Sequence, residues 1–556
     1  MRDWLVSCGW NDLFIDIDPT RGIVAVDGCL KALETAGSRA KAVIFLVSES
    51  WLDSKNCIAE LREALRDDQG VLAFLRIDGT TLELVKEKLP ELIEYQLPGL
   101  AEGAAFQAFT VHPPPECQAQ DVEFSKPVLE GLRRILYEAG LGRAETTSFP
   151  WPDPNVPTES DGSPRAPYRG LKALETADVG VFFGRDRELV RLFNLVDSLR
   201  DSGGRQLLVI LGASGAGKSS FLRAGLLPRL ARHDADYRPL RPLRPVRAVI
   251  SGADGLIPAV ETALSESGLA ISRAEIRSDI DSGTSDTIRR FWQIQNAASD
   301  RLLGDRQKAP LLVLPIDQAE ELFAAEAGSE ANEFLELLSE VLRHGPEMLA
   351  IATIRTDAYA PLQNHPALKN LQTTFTLPSM EKDGHREAIE GPAGRMREAG
   401  RALEVKSGLV DALLSDAEGA DALPLLGFTL ERLYLEHGGD GVLDEADYDQ
   451  LGRMRGVIEV AVDAALADPS IRSAPEDRNR HLRRAFIPWL VGINESNGAP
   501  IRLGSRWADI PAESHELLER LIDERLLRTD VDENGERTLE ISHESLLRQW
   551  PDLQGW

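Results

Sequence analysis

The sequence predicts an α/β protein with two open parallel sheets in succession, followed by a mostly helical region. Three observations carry this. Short apolar runs (Asp12–Ile17, Ala42–Val47, Val71–Ile77, then Leu207–Ile210, Leu311–Ile316 and Leu349–Ile354) alternate with helix-period stretches, the pattern of βα units. One of these runs leads directly into the glycine-rich stretch Gly212-Ala213-Ser214-Gly215-Ala216-Gly217-Lys218-Ser219. From about Ser379 onward helical periodicity dominates.

The chain has 556 residues, enough for three to five domains of about 100–150 residues each. Its formal charge of −28 argues against wholesale nucleic-acid coating. A local exception is the basic run Arg223, Arg229, Arg232, Arg238, Arg241, Arg244 and Arg247, expected to be a solvated surface, with a partner contact as the alternative. Cys8, Cys29, Cys57 and Cys117 show neither pairing nor metal spacing, which fits reduced thiols in a cytoplasmic protein. No apolar run approaches the roughly 18 residues that span a bilayer, so no membrane association is expected.

The first segment, residues 1–142, reads as alternating strands and helices. Its stretch Glu49-Ser50-Trp51-Leu52-Asp53-Ser54-Lys55-Asn56-Cys57-Ile58-Ala59-Glu60 resembles the TIR family pattern S-x-x-[YW]-x-x-S-x-x-C-x-x-E, and Phe14-Ile15-Asp16-Ile17-Asp18 resembles that family's second strand. The resemblance implies a flavodoxin-like fold. It also implies a catalytic role for Glu60 in cleaving NAD⁺, where a carboxylate steadies the positive charge that develops on the ribose. A helix-end position is the plainer account of Glu60, and other TIR domains are adaptors. The family's first strand has no counterpart before Met1-Arg2-Asp3-Trp4-Leu5, so the expectation is an N-terminally incomplete domain. Residues 143–167, with Pro150, Pro152, Pro154, Pro157, Pro164 and Pro167, are expected to form an extended spacer.

Residues 168–378 carry the nucleotide motifs. Leu207–Ile210 reads as a buried parallel strand, and the glycine-rich stretch after it fits G-x-x-x-x-G-K-[ST]. Backbone N–H groups of Gly212, Ser214, Gly215 and Gly217 would cradle phosphates at a helix N-terminus, joined by Ser220. Lys218 would reach the β- and γ-phosphates, and Ser219 would hold Mg²⁺. The later run Leu311-Leu312-Val313-Leu314-Pro315-Ile316-Asp317 is an apolar strand ending in an acid. Asp317 would hold Mg²⁺ through water, opposite Ser219, and Glu320 or Glu321 would orient the attacking water. Pro315 costs that strand a ladder hydrogen bond and suggests a bulge. Arg355, ending the run Leu349–Ile354, is placed to meet a γ-phosphate or else to pair with Asp357.

Phe182-Phe183-Gly184-Arg185-Asp186-Arg187-Glu188, together with these motifs, resembles the STAND class of signalling NTPases, specifically a bacterial branch. Residues 379–470 are expected to form a helical domain. Residues 471–556 read as helix, helix (Ser514–Leu527), hairpin at Asn534-Gly535 and helix, a winged-helix layout. The STAND resemblance implies that Pro424 packs on adenine and that His543, in Ile541-Ser542-His543-Glu544, touches the β-phosphate of ADP in a resting state. Because Ser514–Leu527 is acidic, DNA binding is discounted.

Together these readings imply an ATP/ADP-gated signalling switch. It would form a homo-oligomer on activation, cluster its TIR domains through TIR–TIR contacts, and cleave NAD⁺ in defence. The trigger or sensor is unknown, and the resemblance expects it beyond Trp556 or in another chain. A TIR scaffold without NADase activity and a housekeeping P-loop ATPase are the alternatives.

Overall fold

The computed structural model describes residues 42–64, 71–76, 80–92, 106–111 and 120–125. From 149 to 556 it describes all but 160–161, 233–235, 246–247, 302–308, 324–329, 418, 420, 494–497, 499 and 532–535. It divides into two compact units, the first comprising residues 1–148 with 186–191 and the second the remainder.

In the first unit, β1 (Ala42–Val47) and β2 (Val71–Arg76) pair in parallel, with Ala42 opposite Val71. Between them run helices Glu49–Asp53 and Lys55–Ala64. The first is capped by Ser48, whose hydroxyl accepts from the Trp51 N–H at 3.0 Å. Phe45, Val47, Leu52, Leu61, Phe74, Val85, Leu89 and Leu92 form the core, with the rings of Phe45 and Phe74 stacked at 5.4 Å. β3 (Phe106–Val111) and β4 (Gln120–Ser125) pair antiparallel, an arrangement that the purely parallel reading did not contain. The expected strand at 12–17 and the N-terminal turns lie outside the described residues.

The second unit is built on a five-stranded, all-parallel sheet of order β6-β7-β8-β5-β9. Its strands are β5 (Gln206–Gly212), β6 (Tyr237–Pro239), β7 (Leu311–Ile316), β8 (Met348–Arg355) and β9 (Gln372–Thr376). β7 and β8 are apolar and buried throughout, apart from polar residues at the end of β8, as helix-covered parallel strands must be. Helices Leu256–Glu266, Thr284–Arg301 and Glu330–His344 share one core with Leu207, Val209, Leu312, Leu314, Ala350 and Ala352.

Pro315 produces no bulge: the β7–β8 register runs unbroken from Leu312↔Met348 to Ile316↔Ala352. The reason is positional. The amides of Leu311 and Asp317 donate toward the β6 side, to Asp236 and Leu243, and the two-residue alternation puts the nitrogen of Pro315 on that side too. β6 has already ended there, so the missing N–H breaks no strand pairing.

Two further expectations need correction. The 143–167 stretch is no free spacer in its described part. Phe149 and Trp151 are buried, Arg165 pairs with the fully buried Asp178 at 2.7 Å, and Arg395 donates to the Phe149 carbonyl. Prolines rule out regular structure there, but the aromatic residues supply enough apolar area to dock the segment. The basic run is a solvated surface only in part: Arg232 and Arg241 are exposed, whereas Arg229 is buried and Arg223, Arg238 and Arg244 are half-buried. Arg229 is buried against the Ala224 and Gly225 carbonyls, and Arg238 and Arg241 pair with Glu266 and Asp254. Arg232 lies over the Phe149 ring, and Arg223 and Arg244 reach acids near the P-loop. Arg247 lies outside the described residues.

Beyond the sheet, helices Lys382–Glu398, Ser407–Asp416, Ala422–His437, Glu445–Gln450 and Arg453–Ala467 continue into Pro475–Phe486 and His515–Asp523. A small parallel pair, β10 (Glu404–Val405) with β11 (Val442–Leu443), ties the first of these together. A hairpin of β12 (Val491–Ile493) and β13 (Pro500–Arg502) interrupts the last two helices. β14 (Ser505–Arg506), β15 (Leu527–Val531) and β16 (Arg537–Ile541) form an antiparallel sheet of order β14-β16-β15. Helix His515–Asp523 is shorter than the expected 514–527, because Arg525 takes a left-handed conformation (φ 61°) and turns the chain into β15. The turn at Asn534-Gly535 lies outside the described residues. One continuous core runs from Ile389 to Leu553, so residues 379–470 and 471–556 share their interior. Among the described residues no helix is long and apolar enough to cross a membrane.

Candidate nucleotide site

β5 delivers the chain to the P-loop at the carboxyl end of the sheet, where open α/β proteins bind ligands. Gly215 and Gly217 have φ of 78° and 83°, a region costly for side-chain-bearing residues, and they bend the loop into the helix starting at Lys218. Gly212 is constrained differently: a Cβ there would sit 3.0 Å from the Leu377 carbonyl. Lys218 folds back to donate to the carbonyls of Gly212 (3.0 Å) and Ala213 (2.8 Å). Burial lowers its pKa, opposed by the charge of Glu320.

β7 ends at Asp317, whose carboxylate is 1% exposed. Its Oδ1 accepts from Ser219 Oγ (2.9 Å) and Thr353 Oγ1 (2.6 Å), and its Oδ2 pairs with Arg223 (2.8 Å). The structure thus brings the two expected metal holders, Ser219 and Asp317, into direct contact. A buried carboxylate beside a hydroxyl is a hard oxygen donor set, which suits Mg²⁺. Among the described residues no cluster of three or more His, Cys, Asp or Glu offers an alternative metal site. Thr353 was missed from sequence. It lies two residues before Arg355 on β8, and its hydroxyl also accepts from the Gln318 N–H at 2.9 Å.

Glu320 and Glu321 follow in a short 3-10 turn, each with one carboxylate oxygen buried and unbonded. Burial, with the charges of Glu321 and Asp317 adding, pushes Glu320 up to about 7 against the pull of Lys218. Glu321 is also raised by burial, opposed by Arg244 and Arg502. A carboxylate poised near neutrality beside Lys218 and Asp317 is suited to accepting a proton from water. The Ser220 hydroxyl accepts from the Leu174 N–H at 2.9 Å, strapping the preceding segment to the P-loop helix.

Arg355 pairs with Asp357 (2.6 Å), and its other terminal nitrogen donates to both oxygens of Glu544 (3.0 and 3.1 Å). Glu544 also accepts from the P-loop Ser214 hydroxyl at 2.6 Å. Burial alone would raise Glu544, but Arg355 and the Ser214 hydrogen bond hold it below the usual carboxylate range. The His543 ring accepts from the Ser545 N–H through Nδ1 at 3.1 Å, which leaves the Nε2 position as the protonated one in a neutral ring. Burial, with Arg502 adding, pulls His543 down to about 4. Its neighbour Glu544 reaches the P-loop through the Ser214 hydroxyl. Pro424 is buried in the first turn of helix Ala422–His437, and the adjacent Leu423 approaches the P-loop: a Cβ on Gly217 would lie 3.1 Å from its Cδ2. Asp421, just before that helix, pairs with Arg548 at 2.7 Å and so ties the 421–424 turn to the segment carrying Glu544.

Arg185, in Phe182-Phe183-Gly184-Arg185, carries no assigned role in the motif. It is 2% exposed and donates to the carbonyls of Ala216 in the P-loop and Pro378 after β9, both at 2.9 Å. Gly184 before it has φ 84°, and a Cβ there would meet the Gly384 carbonyl at 2.3 Å. Glu60 lies in helix Lys55–Ala64 of the other unit, and its side chain is outside the described residues.

Among solved structures, the chain is similar to Drosophila ORC bound to DNA at 11% identity and TM-score 0.32, covering 65% of this chain and 84% of that one. It is similar to the Aeropyrum pernix ORC1 protein in complex with DNA at 13% identity and TM-score 0.33, covering 68% and 94%. It is also similar to the Aeropyrum pernix ORC2 protein in ADPNP–ADP complexes at 12% identity and TM-score 0.36, covering 67% and 93%. Comparison with curated proteins gave no match. The family model described as Novel STAND NTPase 1 matches residues 167–556, and its span contains every P-loop, Asp317 and Glu544 contact described above. The chain therefore belongs to the novel STAND NTPase 1 family, with a nucleotide-binding NTPase core.

Proposed function

We propose that this protein is an ATP/ADP-gated signalling switch in which the C-terminal lobe is latched onto the P-loop. The observation that carries the reading is the Glu544 bridge, which joins Ser214 and Arg355 to a residue 330 positions away from the P-loop. A carboxylate in that place repels a γ-phosphate and occupies the arginine that would meet it. A diphosphate leaves Glu544 in place, with the neutral His543 ring as a donor toward it and Pro424 beside the base. Triphosphate favours the state in which the bridge is broken. Ser219 and Asp317 would hold Mg²⁺, which supplies charge neutralisation at the phosphates. Lys218, Gly212, Ser214, Gly215, Gly217 and Ser220 belong to the phosphate-facing turn, and Glu320 accepts the proton of the attacking water.

The lobe around β14, β15 and β16 reads as a winged helix. Its release would expose surfaces for homo-oligomerisation and cluster the N-terminal TIR-like segments, with NAD⁺ cleavage through Glu60 as the output. The test starts from ADP-loaded chain challenged with a non-hydrolysable ATP analogue and Mg²⁺, following mass by light scattering and release of nicotinamide from NAD⁺. Assembly together with nicotinamide release, lost in Glu60→Ala, is the expected result. Equal release from Glu60→Ala removes that residue from the mechanism, and unchanged mass removes the switch.

A further inference from the structure

Asp317 has a third partner that the nucleotide motifs do not account for. Arg223 stands four residues after Ser219, one helical turn on, so both side chains face the same carboxylate. Its Nη2 lies 2.8 Å from Asp317 Oδ2, its Nη1 lies 2.7 Å from Glu175 Oε1, and its Nε is buried without a hydrogen-bond partner. Asp317 is 1% exposed whereas Glu175 is 54% exposed, so the guanidinium spans a buried carboxylate and a solvated one. A carboxylate so far from water is costly unless a cation sits beside it. Arg223 provides that charge, and it does so on the oxygen that the Ser219 and Thr353 hydroxyls leave open.

We propose that Arg223 is a tethered counter-cation for Asp317. It holds the carboxylate when no divalent cation is bound and must yield Oδ2 when one arrives, so it sets how strongly the site takes metal. The proposal rests on the reading of Ser219 and Asp317 as metal holders. Arg223 is thus a positioning residue acting through Asp317. Once displaced it keeps its bond to Glu175, which begins the short helical turn Thr176–Val181. That segment is already strapped to the P-loop helix by the Leu174–Ser220 hydrogen bond and by Thr176 Oγ1 donating to the Arg223 carbonyl at 3.4 Å.

Competition and simple support predict opposite signs. If Arg223 competes with the metal, Arg223→Gln strengthens divalent-cation binding; if it only holds Asp317 in position, the same change weakens it. The experiment measures Mn²⁺ binding to the ADP-loaded full chain by the electron paramagnetic resonance signal of free Mn²⁺. The parent, Arg223→Gln, Arg223→Lys and Asp317→Asn are compared. Removing one charge-assisted hydrogen bond from the competing state should tighten Mn²⁺ binding roughly tenfold in Arg223→Gln. Arg223→Lys should fall between it and the parent, and Asp317→Asn should lose the site. In chelator, Arg223→Gln should unfold at a lower temperature than the parent, and saturating Mn²⁺ should close that gap. Unchanged or weaker Mn²⁺ binding in Arg223→Gln overturns the proposal, as does failure of both Arg223 variants to fold. A parent that binds ADP but whose Mn²⁺ binding ignores Asp317→Asn overturns the metal assignment and the proposal with it. A parent that binds no ADP refutes the nucleotide site itself.

Discussion

The two faces of the candidate site are held in different ways. On the sheet side, the P-loop is shaped by main-chain geometry. Its two left-handed glycines, the Arg185 bond to the Ala216 carbonyl and the uninterrupted β5–β8 register all fix backbone. On the side of the C-terminal lobe, the P-loop, Arg355 and Gln318 are met by side-chain tips: Glu544 on Ser214 and Arg355, Arg502 on the Gln318 side chain at 3.4 Å, and Leu423 beside Gly217. Backbone geometry can be undone only by unfolding, whereas a carboxylate and a few apolar contacts can be exchanged for a ligand at a cost of a few kcal/mol. The sheet side of the site is therefore fixed by backbone, and the lobe side by side-chain contacts that a ligand can replace.

That contrast can be broken at either end. The largest effects should come from the two cores. Phe221 is fully buried and stacked on Phe375, and Phe486 is fully buried with its ring edge-on to Trp550. Phe221→Ala and Phe486→Ala should each cost about 3–5 kcal/mol in urea unfolding. If the lobe detaches as a unit, Phe486→Ala should lower the first of two transitions and Phe221→Ala the second. A single shared transition would mean that the two sides do not separate.

Next in size, Lys218→Ala should reduce nucleotide affinity by roughly a hundredfold, as loss of a buried charged hydrogen-bond donor to phosphate implies. Isothermal titration checks this, and retained affinity would reassign the pocket. Glu544→Gln should then speed ADP release about tenfold in stopped-flow exchange, since the neutral amide loses a charge-assisted bond to Arg355. Ser214→Ala should act through the same bridge, so the double variant should fall short of the sum of the two. Full additivity would show that the bridge is not one element.

The smallest expected effect is on pH. With Glu320 near 7, ATP hydrolysis should rise as pH increases from 6 to 8, and Glu320→Gln should flatten the profile. The stability sign runs the other way. A carboxyl raised in the folded state binds more protons there than in the unfolded chain, so its contribution is lost as pH rises from about 4.5 through 7. His543 acts on the acid side, because the unfolded imidazole takes up a proton near 6.5 that the folded one refuses until about 4. Stability should therefore fall as pH drops through that window.

Much of the sheet side could be read in advance because its chemistry is local. A strand followed by G-x-x-x-x-G-K-S needs only neighbouring residues, and an apolar run ending in Asp317 is visible without knowing where Ser219 lies. The lobe side could not be read that way. His543 and Glu544 are adjacent in sequence, and which of them reaches the P-loop depends on the direction in which the turn after β16 presents them. The basic run illustrates the same limit. Its spacing gives no hint that Arg223 and Arg244 face acids brought from Asp317, Glu321 and Glu540 by the sheet and by β16.

Composition and local pattern thus determined the class of fold, the order of the strands' chemistry along the chain and the phosphate-binding turn, because each depends on residues within a few positions of one another. Only tertiary structure decided that Glu544 closes the site, that Arg223 neutralises Asp317 and that Phe149 and Trp151 dock what looked like a spacer. Each of those outcomes is a pairing between charges or apolar surfaces far apart in sequence. Such pairings are set by which groups burial leaves in need of a partner.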